Sequence, residues 1–284
     1  VLDSTLALLV CQRALEILSL PSKNIIGITL PGMGTSKRTK SNADVLMEEL
    51  QITSLEISIK AACEHHFKDI NHDSSVHDVT FENSQARERT QVLMDYANMH
   101  NAMVIGTGDL SELALGWATY NGDHMSMYDV NGSVPKTLIQ FMVGIIALES
   151  ANEKLKKTLL DILDTPISPE LIPFSELVSI KQKTEDLVGP YQLHDYFIYN
   201  MIKYGYSPTL IYERAKQTFV GEFEPEVIKK WLGTFYRRFF MQQFKRSCSP
   251  DGPDVTGVSL SPRGGWLMPS DVTSAIWLKE VEAL

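Results

Sequence analysis

The chain has few cysteines, and the three that it contains, Cys11, Cys63 and Cys248, lie far apart. Their number is odd and their spacing matches neither a disulfide framework nor the paired ligands of a zinc site. Isolated thiols of this kind are typical of a reducing compartment, so we expect a cytoplasmic protein. Because Cys11 lies within an apolar helical pattern, the sequence favours a packing role for its thiol.

Long apolar runs and excess positive charge are lacking as well. No stretch reaches the ~18 uninterrupted apolar residues that a membrane-spanning helix requires, and residues 1–5 contain no basic segment typical of a secretory signal. Lys and Arg number 26 against 35 Asp and Glu, which gives a net charge of −9. We therefore expect no membrane span and no general binding of nucleic acid, although an acidic chain can still hold a local basic pocket for phosphate groups.

Short apolar segments alternate with helical patterns in the first half of the chain. Residues 25–30, 52–59 and 102–105 have the β-branched or alternating character of strands. Helices are predicted at 4–18, 43–50, 60–69, 83–100, 110–117 and 135–159. This alternation is typical of an α/β protein with helices on both faces of a parallel sheet. We expect the three strands to lie parallel in one sheet.

The pattern changes after residue 164. Proline, aromatic and basic residues become frequent, and helices are predicted at 191–204 and 224–244. We interpret residues 1–164 as the α/β core and residues 165–284 as a helical C-terminal extension.

Ligands of parallel sheets bind where strands end and helices begin, which points to three polar segments. The first surrounds Asp3 and Ser4, at the start of a helix where backbone N–H groups can hold a phosphate. An ordinary helix cap is the simpler interpretation of Asp3. The second segment is residues 31–41, and the third follows the strand that ends near residue 105.

The third segment has the composition of a ligand-binding turn. Its glycines, at 106 and 108, allow a ligand to approach the backbone, and Thr107 places a hydroxyl at the strand end. Asp109 is interpreted as a helix cap, and Glu112 lies in the first turns of the following helix, facing the same crevice. Lys136 begins another helix, where a cation is unfavourable for the helix dipole but suits a phosphate partner.

Arg87 and Arg89 also lie near a helix start. Each is interpreted either as a cation that binds an anionic group of a ligand or as part of a solvated helix face.

Together and in this order, these segments resemble the NAD synthetase family, and in particular the synthetase domain of its glutamine-dependent type. The similarity is close over residues 78–89 (DVTFENSQARER) and 106–136, and it continues at residues 182–191 and 245–247. Residues 106–136 are the specific part, because other pyrophosphate-loop enzymes, such as the amidating domain of GMP synthetase, share only the region of Asp3 and Ser4.

The resemblance implies a Rossmann-like adenine nucleotide alpha hydrolase fold, also called the pyrophosphate-loop fold. It implies the amidation of deamido-NAD (nicotinic acid adenine dinucleotide) to NAD: ATP adenylates the nicotinate carboxylate, pyrophosphate leaves, and ammonia attacks the acyl adenylate. ATP and Mg²⁺ are the implied ligands. Ammonia would come from glutamine through an upstream glutaminase domain that is not part of this chain, and a homodimer or larger homo-oligomer is implied.

The resemblance also assigns site residues. The implied ATP contacts are Asp3, Ser4, Thr107 and Lys136. The implied ligands of Mg²⁺ are Asp3 and Glu112. The implied deamido-NAD contacts are Asn83, Arg87, Glu112, Trp117, Tyr120, Asp123 and Lys245. No catalytic nucleophile is assigned, because adenylation requires positioning and charge stabilisation rather than a protein nucleophile.

The sequence departs from the family at its start. The family's pyrophosphate loop is Ser-Gly-Gly-x-Asp-Ser, whereas Val1 and Leu2 directly precede Asp3 here. Two explanations compete: residues upstream of Leu2 are missing from this sequence, or the chain begins here and binds ATP poorly. We expect the first, because a chain that began here would also lack the first strand of the fold. Two alternatives stay open: a nucleotide-binding module without turnover, and another pyrophosphate-loop amidotransferase that acts on a purine nucleotide.

Overall fold

The computed structural model describes residues 2–165, Leu171 and residues 188–284. Contacts divide the chain into two compact units. Unit 1 comprises Val1–Thr107, Thr119–Val130 and Ile139–Gln182, and unit 2 comprises Gly108–Ala118, Asn131–Leu138 and Lys183–Leu284. The predicted domain boundary after residue 164 stays a prediction, because it is followed closely by residues outside the described ranges.

Unit 1 contains two short parallel sheets. Strand β1 (Ile26–Thr29) pairs with β2 (Thr53–Glu56), and β3 (Ile105–Gly106) pairs with β4 (Tyr128–Asp129). Parallel pairing is confirmed. The expectation that all three predicted strands share one sheet is wrong for the described residues, in which β3 pairs with β4 instead. Strand β4 falls in a predicted loop, since two residues are too few to leave a periodic pattern.

A glycine allows the close pairing of β3 with the segment that leads to β4. A Cβ atom on Gly106 would lie 2.4 Å from the hydroxyl oxygen of Ser126 and 3.1 Å from the Cβ of Asp129. Any side chain at this position would push the two segments apart, so the glycine is required where β3 enters the polar turn that follows.

The helices of the α/β core in unit 1 follow the predicted order. They are α1 (Leu2–Ile17), α2 (Lys37–Glu49), α3 (Lys60–Asp69) and α4 (Val79–His100). Helix α1 already begins at Leu2, so Asp3 lies inside its first turn and is not the predicted cap. Helix α2 is longer than predicted because the Ser36 hydroxyl caps it by accepting the Thr39 N–H at 3.1 Å.

The predicted helix over residues 135–159 is two helices. Helix α6 (Lys136–Glu149) ends before a short break, and α7 (Glu153–Leu163) begins where the Asn152 side chain accepts the N–H groups of Lys154 and Leu155. The prediction of one helix is therefore wrong, because an asparagine cap interrupts an apolar pattern that continues on both sides. Among the described helices, none has both the length and the apolar character of a membrane span.

Unit 2 is mainly helical. It contains α5 (Leu110–Leu115), the first residues of α6, α8 (Tyr191–Tyr204), α9 (Pro208–Thr218), α10 (Pro225–Met241), α11 (Gln243–Arg246) and α12 (Ala275–Glu282). Its core is rich in aromatic rings, with Phe197, Phe235, Tyr236 and Phe239 fully buried. Burial of such large apolar side chains is the main stabilising contribution to the unit.

Candidate functional site

The first group of predicted site residues lies in unit 2, where α5 and α6 begin. Asp109 caps α5 by accepting the Glu112 N–H at 2.9 Å, as predicted. The ammonium of Lys136 lies 2.5 Å from an Asp109 oxygen and 2.9 Å from a Glu112 oxygen. Asp109 is therefore more than a cap, because it also forms an ion pair that sequence reasoning missed.

Burial makes this ion triad unusual. The side chains of Lys136 and Asp109 are 1% and 0% exposed, whereas that of Glu112 is 21% exposed. An ammonium removed from water needs close anionic partners, and the two carboxylates supply them. Glu112 is the member of the triad that solvent can reach. The Glu112 carboxylate is therefore accessible to a ligand, while the Lys136 ammonium is held by buried contacts.

A second buried polar cluster lies directly behind the triad in the same unit. The Ser111 hydroxyl donates to the Asp195 carboxylate on α8 and accepts the backbone N–H of Lys136 at 2.8 Å. Thr137 donates both its backbone N–H, at 2.9 Å, and its hydroxyl, at 2.7 Å, to Asp195. Burial raises the pKa of the Asp195 carboxyl, and the hydrogen bonds from Ser111 and Thr137 oppose that effect.

Three basic side chains hold the other end of α5, where Gly116 closes the helix at a φ of 59°. Five carbonyl oxygens accept from them, those of residues 113, 114, 115, 116 and 118. The Arg246 guanidinium donates to the first two, at 2.9 and 3.1 Å, and Arg238 donates to the third at 2.9 Å. The Lys245 ammonium donates to the last two at 2.9 and 2.7 Å. Cations at a helix C-terminus offset the negative end of its dipole.

The structure places two predicted substrate contacts at this end of α5. Lys245 is bonded to the carbonyls just described, and the Arg238 guanidinium lies 5.0 Å from the centre of the Trp117 ring. Arg246, which sequence reasoning did not select, is almost fully buried, and burial lowers the pKa of its guanidinium to about 9. Lys245 and Trp117 therefore lie on one local framework, and their contact with substrate stays a prediction.

The second group of predicted site residues lies in unit 1, between α4 and the loop that precedes β4. The Thr119 hydroxyl donates to the Asn83 side chain at 2.7 Å, and the Arg87 guanidinium donates to the Tyr120 carbonyl at 3.2 Å. Asp123 accepts the Thr119 N–H at 2.7 Å. Four residues predicted to contact the dinucleotide are thus brought together, and the Tyr120 ring is 38% exposed.

The remaining predicted ATP residues are also in unit 1. Asp3 and Ser4 lie in the first turn of α1, which contacts β3, and Thr107 directly follows β3. The predicted convergence of Asp3 and Thr107 with Glu112 and Lys136 in one crevice stays a prediction.

The polar segment predicted at residues 31–41 lines a cavity of about 360 Å³ in unit 1. A volume of this size suits a small organic ligand. The cavity is lined by Pro31, Gly32, Thr35, Ser36, Lys37, Lys40, Glu56, Ser58 and Lys60. Arg89 donates to the Leu30 carbonyl at 3.1 Å and to the hydroxyl of Thr35, which lines the cavity, at 3.4 Å. Neither sequence interpretation of this arginine included these contacts.

Comparison with known proteins shows the family to which the chain is similar. The family model described as NAD synthase matches residues 1–148. The glutamine-dependent NAD(+) synthetase of Mycobacterium leprae is 43% identical over 99% of this chain, which covers 45% of that protein. The NH(3)-dependent NAD(+) synthetase of Fusobacterium nucleatum is 31% identical over 43% of this chain and 46% of its own length.

A solved structure shows the same fold. The crystal structure of a glutamine-dependent NAD(+) synthetase from Cytophaga hutchinsonii superposes with a TM-score of 0.67 at 20% identity, covering 90% of this chain and 40% of that one. The chain thus spans less than half the length of the M. leprae relative and of this structural neighbour. The family model covers more than half of the chain and the M. leprae protein matches nearly all of it, so the chain belongs to the NAD synthase family.

Proposed function

We propose that this chain is the synthetase portion of an enzyme that amidates deamido-NAD to NAD at the expense of ATP. The observation that carries the proposal is the buried triad of Lys136, Asp109 and Glu112 in a member of the NAD synthase family. The triad combines one ammonium, which can neutralise charge on phosphates, with two protein carboxylates, which can bind Mg²⁺.

The role proposed for Lys136 is to neutralise charge on the phosphates of ATP. Its ammonium is held in place before any ligand binds, so little reorganisation is needed as negative charge develops on the departing pyrophosphate. The nicotinate carboxylate would be the attacking group. The chain's own contribution is then to orient two bound nucleotides and stabilise charge, which is consistent with the absence of any assigned nucleophile.

Glu112 fits the requirements of Mg²⁺, which prefers hard oxygen ligands and usually needs only one or two protein carboxylates. Its side chain is partly exposed, and together with Asp109 it offers carboxylate oxygens without any competing sulfur or nitrogen ligand in the triad. We propose that Glu112 holds the metal, which when bound would shield the phosphate charges from the attacking carboxylate.

The unit 1 cluster is proposed to orient deamido-NAD. Arg87 offers a guanidinium for a phosphate or carboxylate, and the exposed Tyr120 ring offers a face on which a base can stack. Asn83 and Asp123 add polar groups that can bind ribose hydroxyls. Because these residues share one local framework, they can bind one ligand together.

The source of ammonia is proposed to be glutamine, hydrolysed by a glutaminase domain that is not part of this chain. The three cysteines are buried or half-buried, and burial raises the pKa of each thiol, which is unfavourable for a nucleophile. The chain alone should therefore use free ammonium. Its rate should rise with pH, because only unprotonated ammonia is nucleophilic.

Self-association is proposed through α6. Phe141, Ile145 and Leu148 recur at helical spacing on one face and are 64%, 38% and 68% exposed, while Ile139 and Val143 on another face are fully buried. A helix that is apolar on two faces needs a second partner to cover the exposed one. A second copy of the chain, packed across a two-fold axis, would do so.

The test of function is product analysis with ATP, deamido-NAD and ammonium. We expect equal amounts of NAD, AMP and pyrophosphate, and we expect Lys136→Met and Glu112→Gln to reduce kcat by about 10²-fold or more, as loss of a preorganised charged group does. The exposed pair Lys157→Met and Glu153→Gln on α7 provides matched controls. Tight nucleotide binding without AMP formation would instead support a binding module, and amidation of a purine nucleotide would support the other alternative.

A further inference from the structure

Asp195 lies at the meeting point of two helix starts that the proposed function depends on. It belongs to α8, is 7% exposed, and accepts hydrogen bonds from the hydroxyl of Ser111 on α5 and from both donors of Thr137 on α6. No substrate contact is needed to explain its presence, because all three donors come from the protein.

The cluster supplies a cap that α6 cannot make for itself. The residue before α6 is Pro135, whose side chain has no group to accept a hydrogen bond. The first N–H of the helix, that of Lys136, bonds to the Ser111 hydroxyl at 2.8 Å, and the second, that of Thr137, bonds to Asp195 at 2.9 Å. A carboxylate at this place also faces the positive end of the helix dipole.

Lys136 is held both at its backbone N–H, by the cap, and at its ammonium, by the triad. The backbone of Lys136 is tied through Ser111 to α5, and its ammonium is tied to Asp109, which caps that helix, and to Glu112 within it. Asp195 holds Ser111 with one carboxylate oxygen and Thr137 with the other. It therefore adds a further link between the start of α5 and the start of α6.

We propose that Asp195 is a positioning residue that sets the place of the Lys136 ammonium against Glu112. The inference rests on the proposed function, in which that ammonium neutralises phosphate charge. A misplacement of about 1 Å at a reacting group can cost about 10²-fold in rate. Loss of the cap should therefore lower kcat far more than it changes the KM for deamido-NAD, because the residues proposed to orient that substrate, Asn83, Arg87, Tyr120 and Asp123, belong to unit 1.

The experiment compares Asp195→Asn with the exposed control Asp271→Asn. The substitution keeps the size of the side chain but replaces one acceptor oxygen by an amide donor. Lysine ammonium groups are followed by nitrogen–proton correlation spectra of the ¹⁵N-labelled chain, with the Lys136 signal assigned from its loss in Lys136→Met. Burial and hydrogen bonding of that ammonium should keep its protons from exchanging too fast to be seen.

We expect Asp195→Asn to shift or broaden the Lys136 signal, and to lower kcat by about 10-fold to 10²-fold with KM changed less than about threefold. The control should change none of these. A folded Asp195→Asn protein with an unaltered Lys136 signal and unaltered kcat overturns the inference. An unaltered rate in Lys136→Met instead overturns the proposed role of Lys136, and the spectrum still decides whether Asp195 positions its ammonium.

A second pair of variants covers the case in which Asp195→Asn does not fold. Thr137→Val removes one donor to Asp195 at nearly constant size, and Thr137→Ser keeps it. A Lys136 signal that moves in the valine variant and returns in the serine variant supports the inference. Identical signals in both variants count against it.

Discussion

Acid should destabilise unit 2 through one histidine. His194 on α8 is 1% exposed, is hydrogen-bonded to the Val188 carbonyl, and is surrounded by the rings of Phe197, Trp231 and Phe235. Burial lowers the pKa of His194 from 6.5 to about 4, and the bond to Val188 opposes that effect only in part. The folded chain therefore keeps this imidazole neutral at a pH at which the unfolded chain has protonated it.

The size of the effect follows from that difference. One pKa unit corresponds to about 1.4 kcal/mol, so a fall from 6.5 to about 4 corresponds to about 3 kcal/mol of unfolding free energy. Because the pKa in the folded state is the lower one, this contribution is fully present above pH 6.5. It is lost progressively as the pH falls from 6.5 toward 4, where the folded state also takes up the proton.

Urea unfolding followed by tryptophan fluorescence measures this directly. All four tryptophans of the chain, at 117, 231, 266 and 277, belong to unit 2, so the signal reports on the unit that contains His194. His194→Gln removes the titrating group but keeps a donor for Val188. His65→Gln is the matched control, since the His65 side chain is 79% exposed.

We expect the native chain and His65→Gln to lose unfolding free energy between pH 6.5 and 4.5 with the same slope. The slope for His194→Gln should be smaller over that range. Equal slopes in all three proteins would refute the argument from burial. Asp161, whose pKa is lowered to about 2 mainly by its hydrogen bond to Arg38, should not interfere, because its contribution is lost at lower pH.

The remaining predictions concern separate features. Arg246→Met should lower the unfolding free energy by about 3 kcal/mol or more, because three backbone carbonyls, those of Leu113, Ala114 and Phe239, lose their donor; urea unfolding measures this, and a loss under about 1 kcal/mol would contradict it. Gly116→Ala should also lower the unfolding free energy measured in urea, since a Cβ there would lie 2.2 Å from the Cβ of Gln242. Gly205→Ala is the control, because a Cβ there would meet no atom within 4 Å. Phe141→Glu should shift a dimer to monomer in sedimentation analysis, and a native chain that is already monomeric when dilute rules out the α6 interface. Addition of Ser-Gly-Gly and a preceding strand before Leu2 should raise ATP affinity in calorimetry, because the loop's backbone N–H groups bind pyrophosphate; equal affinity would show that Asp3 and Ser4 only begin a helix.

Much of the α/β core could be predicted because its signals are local. The sequence selected Glu112, in a polar turn after a strand, and Lys136, at a helix start, as separate ligand contacts. It did not predict the ion pair that joins their side chains at 2.9 Å. The break at Asn152 was missed because it has neither glycine nor proline, and asparagine alone is a weak signal. Strand β4 was missed because it is only two residues long.

The groups behind the triad could not be found in the same way. Asp195 lies 84 residues after Ser111 and Arg246 lies 133 residues after Leu113, so no local pattern connects them. The available hint is a charged residue within a helix rich in aromatic and aliphatic residues, as Asp195 is in α8. Such a residue is either solvent-exposed or bonded inside, and only the tertiary structure decides which.

Unit 2 is built from three separate segments of the chain, which a ribosome synthesises at different times. The turn with Glu112 and the start of α6 with Lys136 are synthesised before the groups that support them, since Asp195 follows Ser111 by 84 residues and Arg246 follows Leu113 by 133. Contacts between such distant segments form late, since a long loop must first be closed. The charged triad can therefore be held in place by these groups only after the segments that contain Asp195 and Arg246 have been synthesised.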